Sequence, residues 1–80
     1  MYVVYALKSD RDGRIYVGLT ASLGRRLKEH NLGNVFSTKG FRPWRVLYTE
    51  TVGTRKAARL REKYLKSGIG KEFLKSIVPG

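Results

Sequence analysis

Three consecutive segments decide the fold: Tyr2-Val3-Val4-Tyr5-Ala6-Leu7-Lys8, Asp10-Arg11-Asp12-Gly13 and Arg14-Ile15-Tyr16-Val17-Gly18. The first is rich in β-branched and aromatic side chains and reads as a strand over residues 2–8. The second is a turn in which Gly13 is free to take a positive φ. The third is a second strand, residues 14–18, ended by Gly18. Together they predict a β-hairpin. Side chains alternate faces along a strand, so the register decides which tyrosines meet. If Lys8 pairs with Arg14, Tyr5 opposes Val17 and the phenols of Tyr5 and Tyr16 fall on opposite faces. If Ser9 pairs with Arg14, Tyr5 opposes Gly18, Leu7 opposes Tyr16 and both phenols share a face. A shared site requires the second register, or a bulge with the same effect.

Beyond the hairpin, Ser22 is placed to cap a helix from Leu23 to about Asn31. Leu23 and Leu27, at i and i+4, define its buried stripe. Arg26 and His30 flank that stripe and so face the sheet, whereas Arg25, Lys28 and Glu29 point outward. Residues 31–43 form a long polar loop, of a length that tends to be functional. Trp44 to Glu50 reads as a third strand. Thr54 caps a second helix, Arg55 to about Lys66, with Ala57, Leu60, Tyr64 and Leu65 as its apolar face. Gly68 and Gly70 break it, and a short third helix runs from Lys71 to about Ile77, before Pro79. The order ββαβαα predicts an α/β (α+β) fold. One three-stranded antiparallel sheet is flanked by helices in a single domain over residues 1–80.

The chain has 80 residues and no cysteine, which excludes a disulfide framework and a zinc–thiolate site and fits a reducing, cytoplasmic setting. No apolar run reaches the length of a membrane span, and no signal peptide is legible. Seventeen basic residues against six acidic ones give a net charge of +11, a positive field that attracts polyanions. The expected partner is nucleic acid, with DNA ahead of RNA and no membrane. Charge gives a partner class but no reaction.

Each chemically suggestive side chain has an ordinary alternative. Tyr5 and Tyr16 could simply pack on the core. Arg26 is either one more solvated cation or a planar donor fork for a phosphate. The sole histidine, His30, could complement the dipole at a helix end. Glu62 could do no more than pair with Lys66 at i+4. Arg25, Lys39 and Arg42 suit contacts to backbone phosphates. Asn31 reads as a C-terminal helix cap. Trp44 suits the core, or a base stacked on an exposed indole.

As an ordered set these residues resemble the GIY-YIG nuclease family, in its small stand-alone bacterial form. Val3-Val4-Tyr5 and Tyr16-Val17-Gly18 are similar to the two signature tripeptides. The stretch through Arg25-Arg26-Leu27-Lys28-Glu29-His30-Asn31 is similar to the family's strand–helix segment. Arg42-Pro43-Trp44, Tyr48-Thr49-Glu50 and Ala57-Ala58-Arg59-Leu60-Arg61-Glu62-Lys63 continue the likeness over nearly the whole chain. The first tripeptide departs from the family name, with valines for glycine and isoleucine, but it keeps the tyrosine.

The resemblance implies an endonuclease that hydrolyses phosphodiesters in DNA, with a place in repair or recombination. One phenol, Tyr16 or Tyr5, helps to deprotonate the attacking water, and His30 accepts a hydrogen bond from a tyrosine or shuttles a proton. Glu62 binds one divalent ion, Mg²⁺ or Mn²⁺. A free phenol, with a pKa of about 10, is a poor base at neutral pH. Arg26, His30 and the ion are expected to favour the phenolate. The rival is a catalytically silent basic module that binds DNA or RNA without turnover. Without an attached recognition domain, binding is expected to be weak, non-specific and salt-sensitive. Targeting would then come from DNA structure or from a protein partner. The oligomeric state is not legible.

Overall fold

A computed structural model describes residues 1–79. Strands β1 (Tyr2–Ser9), β2 (Ile15–Thr20) and β3 (Trp44–Val52) form an antiparallel sheet in the order β2-β1-β3, with helices α1 (Leu23–Leu32), α2 (Arg55–Lys66) and α3 (Gly68–Ser76). This is the expected ββαβαα architecture. Strand β2 runs two residues beyond Gly18, because Leu19 and Thr20 still pair with Val4 and Val3.

The hairpin takes the second of the two registers. Tyr5 pairs with Gly18 and Leu7 with Tyr16, and the Ser9 amide donates to the Arg14 carbonyl at 2.9 Å. Ser9 enforces this choice from the turn. Its buried hydroxyl accepts from the Arg11 and Asp12 amides and donates to the Phe41 carbonyl at 2.6 Å. Gly13 adopts φ +81° and closes the turn.

Alternation then sorts the strands onto two faces. Val4, Ala6 and Val17 pack with Ala58, Leu65 and Leu74 under α2 and α3. Tyr5, Leu7 and Trp44 pack on the other face, with Tyr16, Leu23, Leu27 and Phe41 around them under α1. A register shift between Ala6 and Leu7 lets β3 contribute Leu47 and Tyr48 to the first of these cores.

Several boundaries and faces differ from the sequence expectation. Ser22 occupies the N-cap of α1, but its side chain makes no capping bond; the Thr20 hydroxyl bonds to its amide and carbonyl instead. Thr54 does cap α2, accepting from the Ala57 amide at 3.1 Å, a contact worth about 1 kcal/mol. Leu60 and Tyr64 are 64% and 40% exposed; Leu65 is buried as expected, and Ala58 joins it, with Arg61 and Glu62 half-buried beside them. Arg61 turns inward because it meets both carboxylate oxygens of Glu50, at 2.7 and 3.1 Å. The two glycines after α2 do not end it, since Ser67 does so and then caps α3 from Gly68 onward. Gly70 lets α3 close directly onto the α2 backbone: a Cβ there would lie 2.5 Å from Leu65 Cα.

Candidate active site

The candidate site lies on the α1 face of the sheet. Tyr5 comes from the central strand and Tyr16 from its hairpin partner, with ring centroids 6.4 Å apart. His30, the last buried residue of α1, stands edge-on to both rings at 5.9 and 5.0 Å. The Tyr5 hydroxyl lies 3.0 Å from His30 Nε2, and His30 Nδ1 lies 2.8 Å from Thr38 Oγ1. Thr38 Oγ1 also donates to the Val35 carbonyl at 3.4 Å, which uses its only proton. The network therefore assigns the proton to Nδ1, and Nε2 accepts from the Tyr5 hydroxyl. Gly18 makes room for this pair: a Cβ there would sit 2.6 Å from the Tyr5 oxygen and 3.2 Å from Tyr16 Cε1.

Arg26 stands one helical turn before His30. Its Nη1 lies 3.1 Å from Glu29 Oε1, which aims the guanidinium. Arg26 is near enough to the Tyr5 hydroxyl to oppose the rise in that phenol's pKa, but burial dominates and Tyr5 is held above its ordinary value. Arg26 thus acts in the expected direction, favouring the phenolate, but burial outweighs it and Tyr5 is a protonated donor. Burial, followed by the Arg26 charge, also holds His30 below 6.5, with Glu29 opposing. A neutral imidazole is therefore ready to accept a proton.

A consequence for stability follows. The unfolded chain binds a proton at His30 that the native state resists, so stability rises with pH across this window. The contribution is present above pH 6.5 and is lost as pH falls toward the lower pKa of folded His30. The urea midpoint of the parent is expected to drop between pH 7 and pH 5.5, and His30→Gln should show a shallower drop. Parallel pH profiles would remove this role.

Glu62 belongs to α2, which packs on the opposite face, yet its charge is felt at the Tyr5 hydroxyl, where it opposes ionisation. Its side chain is 24% exposed and lies 3.4 Å from Lys66 Nζ. The i+4 ion pair is therefore present, and the carboxylate is also near enough for its charge to act on Tyr5. No group of three carboxylates or histidines gathers among the described residues. A lone, partly open carboxylate suits an ion such as Mg²⁺, which keeps most of its ligands as water and phosphate oxygen.

The other expected residues fall around this centre. Arg25 is exposed on the outer side of α1. Lys39 and Arg42 are exposed in the loop after α1; Arg42 Nε donates to the Lys39 carbonyl at 2.7 Å. Asn31 is structural, but it is not the cap. Gly33, at φ +84°, ends α1, while Asn31 ties the helix to β3 by donating to the Trp44 carbonyl at 3.0 Å and accepting from its amide at 2.7 Å. Trp44 is core, and its indole N–H is spent on the Thr38 carbonyl. Thr38 lies in the long polar loop expected over residues 31–43, and its burial depends on the fold of the whole loop. A groove of about 660 Å³ is lined by Lys8, Ile15, Tyr16, Val17, Lys71 and Leu74 among others; it touches the candidate site through Tyr16, with none of Tyr5, Arg26, His30 or Glu62 in its wall. Its lining lacks the paired acid–base chemistry found around Tyr5. No helix is long and apolar enough to cross a membrane among the described residues.

This geometry, with two tyrosines, a histidine and an arginine around one sheet face and a glutamate beyond, defines a GIY-YIG domain. The family model described as the GIY-YIG catalytic domain matches residues 1–73, and the chain belongs to that family. It is 37% identical over 67 residues to UPF0213 protein CPE1444 of Clostridium perfringens, covering 82% of this chain and 71% of that one. A solution structure of UPF0213 protein BH0048 from Bacillus halodurans is 33% identical, with a TM-score of 0.58 over all of this chain and 88% of that one. The human structure-specific endonuclease subunit SLX1 is 35% identical over 51 residues, covering 59% of this chain. The matched region spans only 18% of that relative's length.

Proposed function

We propose that the domain is an endonuclease that hydrolyses phosphodiester bonds in DNA with one divalent ion. The observation that carries this reading is the convergence on the Tyr5 hydroxyl. It bonds His30 Nε2 at 3.0 Å and also senses Arg26, Tyr16 and Glu62. Core packing alone would not bring a histidine and an arginine to one buried phenol.

In this mechanism Arg26 holds the scissile phosphate and offsets charge that grows on its oxygens in the transition state. A water oxygen forms the new bond to phosphorus as an ester P–O bond breaks. The water proton passes to the tyrosine–histidine pair. Tyr16 is only half-buried and is the phenol open to substrate, whereas Tyr5 orients His30 from beneath. Neutral His30 Nε2 is the acceptor at the end of this path: the Tyr5 hydroxyl gives it its own proton and takes one in turn from the side of the water. Glu62 is the residue that would hold the ion, which would supply stabilisation of the leaving oxygen. Arg25, Lys39 and Arg42 position the strand through its phosphates. The name of the human relative, a structure-specific endonuclease subunit, supports branched or flapped DNA as the substrate and a protein partner for targeting.

The test is Mg²⁺- and Mn²⁺-dependent cleavage of labelled duplex, single-stranded and branched DNA and RNA, run beside Glu62→Ala. Ion-dependent cutting by the parent and none by the variant is expected. Binding across the panel with no cutting by either protein would favour the silent basic module.

A further inference from the structure

We infer that Phe36 forms a stacking site for one unpaired nucleobase beside the candidate active site. This rests on the nucleic-acid reading above but not on turnover. Phe36 is 86% exposed, on the loop that joins α1 to β3. A single exposed apolar residue is ordinary on a protein surface. Three observations set this one apart.

The loop beneath Phe36 is tied down on both sides. The Asn34 amide donates to the Glu29 carbonyl at 3.0 Å, and the Thr38 and Lys39 amides donate to the Val35 carbonyl at 3.1 and 3.0 Å. The ring is thus presented from a held backbone. The Lys39 ammonium stands 5.1 Å from the ring centroid, so a phosphate-binding charge accompanies an aromatic face. Finally, Phe36 lies two residues from Thr38, whose hydroxyl bonds His30. Two residues span at most about 7 Å, so the Phe36 backbone lies close to the Thr38 backbone. A base meeting Phe36 would therefore lie beside the Thr38–His30 end of the candidate site.

The chemistry of the ring fixes what it can read. Phenylalanine has no donor or acceptor, so it recognises the π-face that every base carries and not a sequence. Bases inside a continuous duplex already stack on their neighbours. A base at a fork, flap or gap has a free face, so Phe36 would favour such positions over paired DNA. Trp44 was the aromatic residue with a stacking role open to it on sequence grounds, but the fold buries it and leaves Phe36 outside.

The test measures binding without metal, so that cleavage plays no part. 2-Aminopurine is placed at the first unpaired position of a forked DNA, and in a second substrate within an unbroken duplex, at one fixed salt concentration. The parent should bind the fork more tightly than the duplex and change the fluorescence of the forked probe only. Phe36→Ser should lose that signal and reduce the fork-over-duplex affinity ratio roughly 5- to 150-fold, the scale of one base–aromatic stack, with duplex affinity unchanged. Phe36→Trp should retain both. A parent without fork preference, a serine variant with the parent's ratio and signal, or an equal loss on both substrates would each overturn the site. A protein that stacks the probe but never cuts would overturn the nuclease reading alone.

Discussion

Arg26→Ala is expected to lower the single-turnover cleavage rate by roughly 10²- to 10³-fold, the scale seen when one preorganised donor to transition-state charge is removed. Binding should change little. The chain carries 17 basic residues, so one phosphate contact fewer reduces the salt slope of binding by only about one. The guanidinium is half-exposed, anchored through Glu29 and close to the Tyr5 hydroxyl, which suits a group that meets substrate at the reacting centre. Arg26→Lys keeps the charge but loses the planar fork, and should recover only part of the rate. Cleavage rate and metal-free affinity measured on the same DNA separate the roles. If both fall together, Arg26 is an ordinary phosphate contact.

The second large effect concerns stability. Gly70→Ala would place a Cβ 2.5 Å from Leu65 Cα and 2.8 Å from Leu65 C, against helix backbone that cannot turn aside. Helix α3 must then lift from α2, withdrawing Leu74 from the core it shares with Ala58 and Leu65. Overpacking of this kind costs about 1–3 kcal/mol, and more where the obstacle is rigid. Each kcal/mol lowers Tm by about 4–8 °C in a domain of this size. Gly68→Ala is the control, because nothing lies within 4 Å of a Cβ added there. Thermal unfolding should show a marked loss for the first variant and little change or a small gain for the second. Matching Tm values would mean that the contact between α2 and α3 yields more readily than its geometry implies.

Much of this architecture was legible because the periodicities are local. The hairpin, the Leu23/Leu27 stripe of α1 and the Thr54 cap of α2 each depend on residues a few positions apart. The register did not yield to the same reasoning. Asp10-Arg11-Asp12-Gly13 suits either pairing, and the choice is made by Ser9, whose hydroxyl also reaches Phe41, far along the chain. The buried face of α2 was misread for a similar reason. Apolar spacing favoured Leu60 and Tyr64, but Arg61 is drawn inward by Glu50 of β3, and its guanidinium then lies over the exposed Tyr64 ring at 4.8 Å. Asn31 looked like a cap because its partner, the Trp44 backbone, is thirteen residues away. At the site, the residues stood out by type and spacing. The Tyr5–His30–Thr38 chain of hydrogen bonds and the protonated state of Tyr5 needed the burial that only the assembled fold supplies.

The sheet order places the first strand in the middle, and this governs how the protein is born. Synthesis proceeds from the N-terminus, so Tyr5 and Tyr16 emerge early and can meet through a short hairpin closure. The other edge of β1 waits for β3, whose pairing with Tyr2 reaches as far as Val52. Contacts so distant in sequence carry a loop-closure cost and form late. Thr38 and Trp44 then dock beside His30, and Glu62 arrives later still with α2. On a translating ribosome, surrounded by RNA, a half-made chain thus holds the two phenols without the full set of groups that would act on a phosphodiester.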